Sequence, residues 1–260
     1  TELKSDLVNK FSHERYNKSF SVLGVKLFFF LNSIFSLEKL QIWVENRLVS
    51  NPTKLYEKIK NLNFIDLFCG AGGLSRGLEM AGFHCVLGVD NDKVAMETFG
   101  RNHDKNTEAY AGDISDFSDY KFKKIARKQK IHLICGGPPC QGLSTVGEGI
   151  PDDPRNFLFL EFLRVVRCVK PDFVVMENVT GLLGRKNAKI TVGIIKQFAK
   201  FGYDMSVDVL SADRFGVPQK RRRTIFIGNR IGIENIFPEP THSKKPRTVM
   251  DAISNMKSFD

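Results

Sequence analysis

The chain reads as an α/β protein with a doubly wound parallel sheet and a small N-terminal helical appendage. Two observations predict this. From Asn63 onward, short apolar runs alternate with segments of helical periodicity. The first apolar run passes straight into a glycine-rich turn and then a helix, the order of a βα unit that lets backbone approach a ligand. No internal repeat or low-complexity tract breaks the alternation.

The elements follow in order. Residues 1–61 are rich in Phe, Leu, Asn and Ser and show no strand alternation. Phe28, Phe29, Phe30 and Leu31 sit in a helix-like context that Leu37, Leu40, Ile42, Trp43 and Leu48 continue to about Asn51-Pro52, with a short helix over 54–60. This region is expected to be a structural brace, with a nucleic-acid- or partner-binding arm as the alternative. Domain boundaries are set at 1–61 and 62–260. Strands are expected at 64–68, 85–89, 132–136, 173–176, 206–210 and 224–227. Helices are expected at 74–81, 93–101, 121–128, 157–168 and 188–201. In the last helix Ile190, Ile194, Ile195, Phe198 and Phe201 form one apolar face.

Composition narrows the partners. The 260 residues are 42% hydrophobic and 26% charged, as in a globular protein, and carry a net charge of +10. Such a balance points to a polyanion, nucleic acid before an anionic membrane, with a generally basic solvated surface as the plain alternative. The apolar stretch 20–37 is interrupted by Ser21, Gly24, Lys26, Asn32 and Ser33, so a packed helix is expected rather than a membrane span. No secretory signal is visible, and the chain opens on Thr1, as a processed or partial product would. The five cysteines (Cys69, Cys85, Cys135, Cys140 and Cys168) are odd in number, scattered and without a CxxC pair. No disulfide framework, zinc site or other metal is expected, and most read as small buried residues of a reducing compartment.

Cys140 is the exception. It lies in Gly136-Gly137-Pro138-Pro139-Cys140-Gln141-Gly142, fed by the apolar run 131–135. That order sets a thiol in a rigid loop at a strand end, where open α/β sheets bind ligands. It is either a reactive nucleophile or an ordinary small residue. The first strand meanwhile enters Asp66-Leu67-Phe68-Cys69-Gly70-Ala71-Gly72-Gly73, a weak signal alone. It strengthens with Asp90 at the end of the second strand, about 20 residues on, where an acid commonly takes a ribose hydroxyl pair. Asp113 comes next, in Gly112-Asp113-Ile114. Either acid alone could be a helix N-cap. The ordered set favours an adenosyl ligand, and no GKS or GKT completes a phosphate loop.

Two more clusters lie at strand ends. Met176-Glu177-Asn178-Val179 puts a carboxylate at the end of an apolar strand, where a charge is costly without a partner or a task. Taken alone, Glu177 reads as a salt-bridged structural acid. Gln219-Lys220-Arg221-Arg222-Arg223 precedes the strand 224–227. Alternation directs Arg221 and Arg223 to one face, where they could position an anionic group.

DLFCGAGG, GGPPCQG, ENV and QKRRR, in this order and spacing, resemble the motifs of the DNA (cytosine-5)-methyltransferase family over residues 64–256. The segment Thr248-Val249-Met250-Asp251-Ala252-Ile253 is similar to the stretch just beyond the arginine motif in that family. The resemblance implies a Rossmann-like, S-adenosylmethionine-dependent methyltransferase acting on double-stranded DNA. It implies that Cys140 attacks cytosine C6. Glu177 would hydrogen-bond N3 and the exocyclic amine of a flipped base, and Arg221 would hold the base carbonyl. Arg223 would orient Glu177 or the cysteine loop. Phe68, Gly70 and Gly73 would take the methionine side of the cofactor and Asp90 its ribose. Asp113 and Ile114 would take the adenine, with Pro139, Gln141 and Leu158 lining the wall. Ser144 would contact the DNA backbone from a mobile lid over about 141–152, and Gln219 the DNA. Asn91 stands where an aromatic residue often packs on the adenine in that family.

In the same family a target-recognition region and a closing segment lie beyond the arginine motif, and neither is visible here. The expectation is a catalytic lobe that binds DNA poorly alone, completed by a second polypeptide or a further C-terminal segment. It would work in a bacterial or phage-infected cytoplasm at the nucleoid, or in a nucleus if eukaryotic. The resemblance leaves two alternatives: a tRNA cytosine-5 methyltransferase of the DNA-methyltransferase-like type, and a non-catalytic DNA-bound regulator retaining the fold. The intact Cys140, Glu177, Arg221 and Arg223 argue against the second.

Overall fold

The computed structural model describes residues 62–139, 156–184 and 187–254, with no side-chain description for residues 156 and 157. The expected N-terminal appendage, Cys140, Gln141 and Ser144 lie outside the described residues.

Seven strands form one sheet: β1 (Asn63–Leu67), β2 (His84–Asp90), β3 (Glu108–Ala111), β4 (Ile131–Gly136), β5 (Phe173–Asn178), β6 (Asp204–Ser211) and β7 (Arg222–Asn229). Their order is β3-β2-β1-β4-β5-β7-β6. The helices α1 (Gly73–Met80), α2 (Lys93–Asn102), α3 (Asp119–Lys128), α4 (Asn156–Val169) and α5 (Ala188–Ala199) fall where the periodicity predicts them, and a short α6 (Val249–Ile253) comes after β7.

The structure corrects two expectations. Glu108–Ala111 is a strand that the apolar pattern does not show, because it is a short edge strand with three of its four residues exposed. The sheet is also mixed rather than parallel: β7 runs antiparallel to both β5 and β6. The reason is loop length. Residues 212–221 between β6 and β7 form a tight connection closed by the Ala212 N–H donating to the Arg221 carbonyl at 2.9 Å. A parallel return needs a longer crossover, usually a helix.

Strand alternation splits the core in two. Ile65, Leu67, Ile134, Val174, Met176 and Phe226 face one way and pack against α3, α4 and α5 through Phe122, Phe159, Phe162, Ile194 and Phe198. Phe64, Cys85, Leu133, Cys135, Val175, Ile225 and Ile227 face the other way, with Leu78 of α1 and Met96 and Phe99 of α2. The chain walks outward from β1 to β3 and then restarts at β4 on the opposite side of β1. The β1/β4 seam is therefore the topological switch point, where ligands settle outside the carboxyl ends of the strands.

The seam is tight. A Cβ at Gly136 would lie 2.1 Å from the Leu67 carbonyl oxygen. Beside it, Asp66 is fully buried; its Oδ2 accepts from the Ser75 N–H at 3.1 Å and from the Ser75 hydroxyl, tying β1 to the first turn of α1. Burial pushes the Asp66 carboxyl up to about 6, against the pull of the Ser75 bonds.

Gly136→Ala should destabilise the fold by ~3 kcal/mol in urea unfolding, because the obstructing atom is backbone. Gly100→Ala, in α2 with no atom within 4 Å of the added Cβ, should be neutral or stabilising by up to ~1 kcal/mol. For Asp66, the folded-state pKa is raised above the unfolded value of 3.8. The folded chain then holds a proton between about pH 4 and 6 that the unfolded chain releases, so stability is lost as pH rises through that window. Relative to Asp66→Asn, the wild type should gain at most ~3 kcal/mol as pH falls from 7 to 4.5, read from paired denaturant melts. A flat difference across that range would remove the buried-carboxyl account.

Candidate active site

The loop after β1 is built for close approach. Phe68 adopts a left-handed conformation (φ 59°), as do Gly70 (φ 54°) and Gly72 (φ 84°). For Phe68 this is a backbone state that non-glycine residues rarely hold outside functional turns. Gly70 is open, with no atom within 4 Å of where a Cβ would stand. Gly72 is the reverse case: its missing Cβ leaves room for the His103 ring, 2.3 Å from that position. His103 stacks on Phe99 at 3.8 Å between centroids and donates from Nδ1 to the Phe99 carbonyl at 2.8 Å.

Asp90 closes this loop. Its two oxygens accept from the Gly70 N–H at 2.7 Å and the Asp92 N–H at 2.9 Å. Asp92, not Asp90, caps α2, accepting from Val94 and Ala95. The Gly112 N–H donates to the Asp90 carbonyl at 2.9 Å, which brings the end of β3 alongside. Asp113 is exposed there and caps a 3₁₀ turn, and the Ser115 bonds hold its carboxyl below the usual range. Ile114, the residue after it, is 4% exposed and packs in the core. Phe68 and Leu158 both stay partly open while packing on that same core. Gly73 is buried as the first residue of α1.

The second half of the site lies across the seam. Gly137, Pro138 and Pro139 leave β4 beside the end of β5, and a Cβ at Gly137 would stand 3.6 Å from Glu177 Oε2. Glu177 shares the sheet face of Val175. Because β7 is antiparallel, its first residues lie against the last residues of β5, with Glu177 opposite Ile225 and Asn178 opposite Thr224. Arg223 precedes Ile225 by two and emerges on the Glu177 face. Its Nε donates to Glu177 Oε1 at 2.8 Å, while Arg221 Nη2 lies 3.5 Å from the same oxygen. Burial and the neighbouring Arg223 lower the Arg221 pKa, and Glu177 opposes them. Both arginines therefore converge on one carboxylate oxygen. Gln219 is exposed on the tight connection just before them.

Asn178 is a member of the site that residue types alone do not reveal. It is buried, and its amide donates from Nδ2 to the Pro138 carbonyl at 3.0 Å. The four described cysteines contrast with a nucleophile: burial pushes the thiols of Cys69, Cys85, Cys135 and Cys168 up from their ordinary value. Among the described residues no three His, Cys, Asp or Glu side chains converge to hold a metal ion, and no helix is long and apolar enough to cross a membrane.

Relatives of known kind match this arrangement. Over 203 residues the chain is 42% identical to the type II methyltransferase M1.HphI of Haemophilus parahaemolyticus, covering 77% of this chain and 54% of that one. It is 37% identical to the type II methyltransferase M.AquIA of Picosynechococcus, covering 74% of this chain and 88% of that one. Thus it spans about half the length of the first relative and most of the second. Among solved structures it resembles a prophage-encoded E. coli protein described as a DNA modification methyltransferase, with TM-score 0.63 and 32% identity over 76% of this chain and 56% of that one. The DNMT2 of Spodoptera frugiperda shares the fold, with TM-score 0.54 and 24% identity over 72% of this chain and 53% of that one. The model of the C-5 cytosine-specific DNA methylases matches residues 62–259, and with the glycine loop, the Glu177–arginine cluster and the sheet order in place, the chain belongs to that family.

Proposed function

We propose that this chain is the catalytic lobe of a DNA cytosine-5 methyltransferase that uses S-adenosylmethionine and acts on a base turned out of the duplex. One observation carries the reading: Glu177, held by Arg223 and Arg221, stands beside the Gly137–Pro139 loop that leads into Cys140. An acid held beside the run that leads into a thiol supports addition of that thiol to a pyrimidine ring. The membership of the family and the type II relatives support DNA as the substrate.

The residues present fit the cofactor. Gly70 offers open backbone, Phe68 is partly open in its left-handed turn, Asp90 ends β2, and Asp113 lies just beyond the end of β3. Phe68, Gly70 and Gly73 would hold its methionine side and Asp90 the ribose. Asp113 and the Ile114 backbone would meet the adenine, with Pro139, Gln141 and Leu158 as the wall. When bound, S-adenosylmethionine would supply an electrophilic methyl group to cytosine C5, its sulfur–methyl bond breaking to leave S-adenosylhomocysteine.

In the proposed reaction the Cys140 thiolate forms a bond to cytosine C6, and the C5–C6 double-bond electrons move toward C5. Glu177 hydrogen-bonds N3 and the exocyclic amine and stabilises positive charge, or donates a proton, as C6 is attacked. Arg221 fixes the base carbonyl, and Arg223 holds Glu177 in place through its 2.8 Å contact. Once C5 carries the methyl group, loss of the C5 proton to water restores the C5–C6 double bond as the C6–sulfur bond breaks and expels the Cys140 thiolate. Ser144 would touch the DNA backbone near the flipped base, and Gln219 the DNA. Target choice is assigned to a recognition part, carried by a second polypeptide or by a further segment of the protein.

The test is covalent trapping on a duplex containing 5-fluorocytosine, with S-adenosylmethionine and any completing polypeptide present. The wild type should give a denaturation-resistant adduct. Cys140→Ser should give none while binding the cofactor within about twofold of wild type. Glu177→Gln should slow methyl transfer by ~10²–10⁴-fold. No adduct with the wild type would sink the enzyme reading.

A further inference from the structure

We propose that Asn178 is a positioning residue that sets the Cys140 loop against the Glu177 carboxylate, an inference that rests on the catalytic reading above. Glu177 and Asn178 are consecutive on β5 and leave it on opposite faces. Both reach the loop after β4. Glu177 Oε2 lies against Gly137, while the Asn178 Nδ2 donates to the Pro138 carbonyl at 3.0 Å. The other end of the same amide is also committed, since Oδ1 accepts from the Val179 N–H at 2.8 Å. The Thr224 hydroxyl donates to the Val179 carbonyl at 3.1 Å, so β7 braces the residue that braces Asn178. The side chain is 5% exposed, and such a buried amide is costly unless both of its ends are matched, as they are here.

The choice of the Pro138 carbonyl matters. Pro138 and Pro139 have no N–H and a fixed φ, so the run between β4 and Cys140 offers few other handles to grip. A carbonyl pinned there, two residues before Cys140, fixes the direction in which the chain enters the nucleophile. One strand end thus indexes the thiol loop and the acid to each other. A carboxylate in place of the amide would keep the bond from Val179 but face the Pro138 carbonyl with a second acceptor. A protonated carboxyl would restore the amide pattern, with one donor and one acceptor.

The test compares wild type, Asn178→Ala and Asn178→Asp in the full chain, with its completing polypeptide where methylation needs one. Adduct formation on the 5-fluorocytosine duplex, single-turnover methyl transfer and cofactor affinity are measured from pH 6 to 8. Asn178→Ala should trap roughly 10–100-fold more slowly, the scale of a misplaced reacting group, with cofactor affinity within about twofold of wild type. Asn178→Asp should be as slow at pH 8 and recover toward the wild-type rate at pH 6, while the alanine variant shows no such recovery. Wild-type trapping by Asn178→Ala, or an Asn178→Asp to wild-type ratio that stays flat with pH, would overturn the proposal. Failure of the wild type itself to trap would instead overturn the methyltransfer reading.

Discussion

The direction of β7 is the constraint on which the site depends. Six strands of the sheet are parallel, and β7 enters antiparallel between β5 and β6. A parallel β7 would carry Arg221 and Arg223 to the amino ends of the strands, a strand's length from Glu177. The antiparallel insertion puts them at the carboxyl ends, beside Glu177 and the loop after β4. The partly exposed setting of this cluster means that its ion pairs contribute little to stability. Their consequence is geometric: two guanidinium groups restrict one carboxylate oxygen and leave Oε2 directed at the Gly137 side.

The other half of the site is held by side chains that bond to backbone N–H groups or fill space, rather than by charge pairs. The turn after β1 would be unfavourable for Phe68 in isolation, and it persists because neighbouring elements over-determine it. Asp66 grips α1 from below, Asp90 grips the Gly70 N–H from the side, and His103 fills the space left at Gly72. Asp90 therefore serves two readings at once. It stands where the proposed ribose contact requires an acid, and it already orders the loop proposed to receive the rest of the ligand.

Much of this was legible from residue order. The helices from α1 to α5 and six of the seven strands follow from apolar periodicity and glycine placement, which act over a few residues. The edge strand β3 escapes because its residues are mostly exposed and carry no alternation of their own. Alternation placed Arg221 and Arg223 on one face, yet it is silent on what that face meets. Asp113 shows the opposite case. Its N-cap bonds are what the plain reading of a lone acid before a turn describes, and a ligand role there is additional to them.

By itself the sequence determined the residue types of the site, the alternating order of elements and the family motifs, because each is a local pattern or a short spacing. Only the tertiary structure decided that the sheet is mixed, that Arg223 is the nearer partner of Glu177, that Ile114 belongs to the core, and that Asn178 donates to the Pro138 carbonyl. The physical reason is distance along the chain. The Asn178–Pro138 bond joins residues 40 apart, and the Thr224–Val179 bond joins residues 45 apart. Such contacts exist only once the order and direction of the strands are set, and no local propensity encodes them.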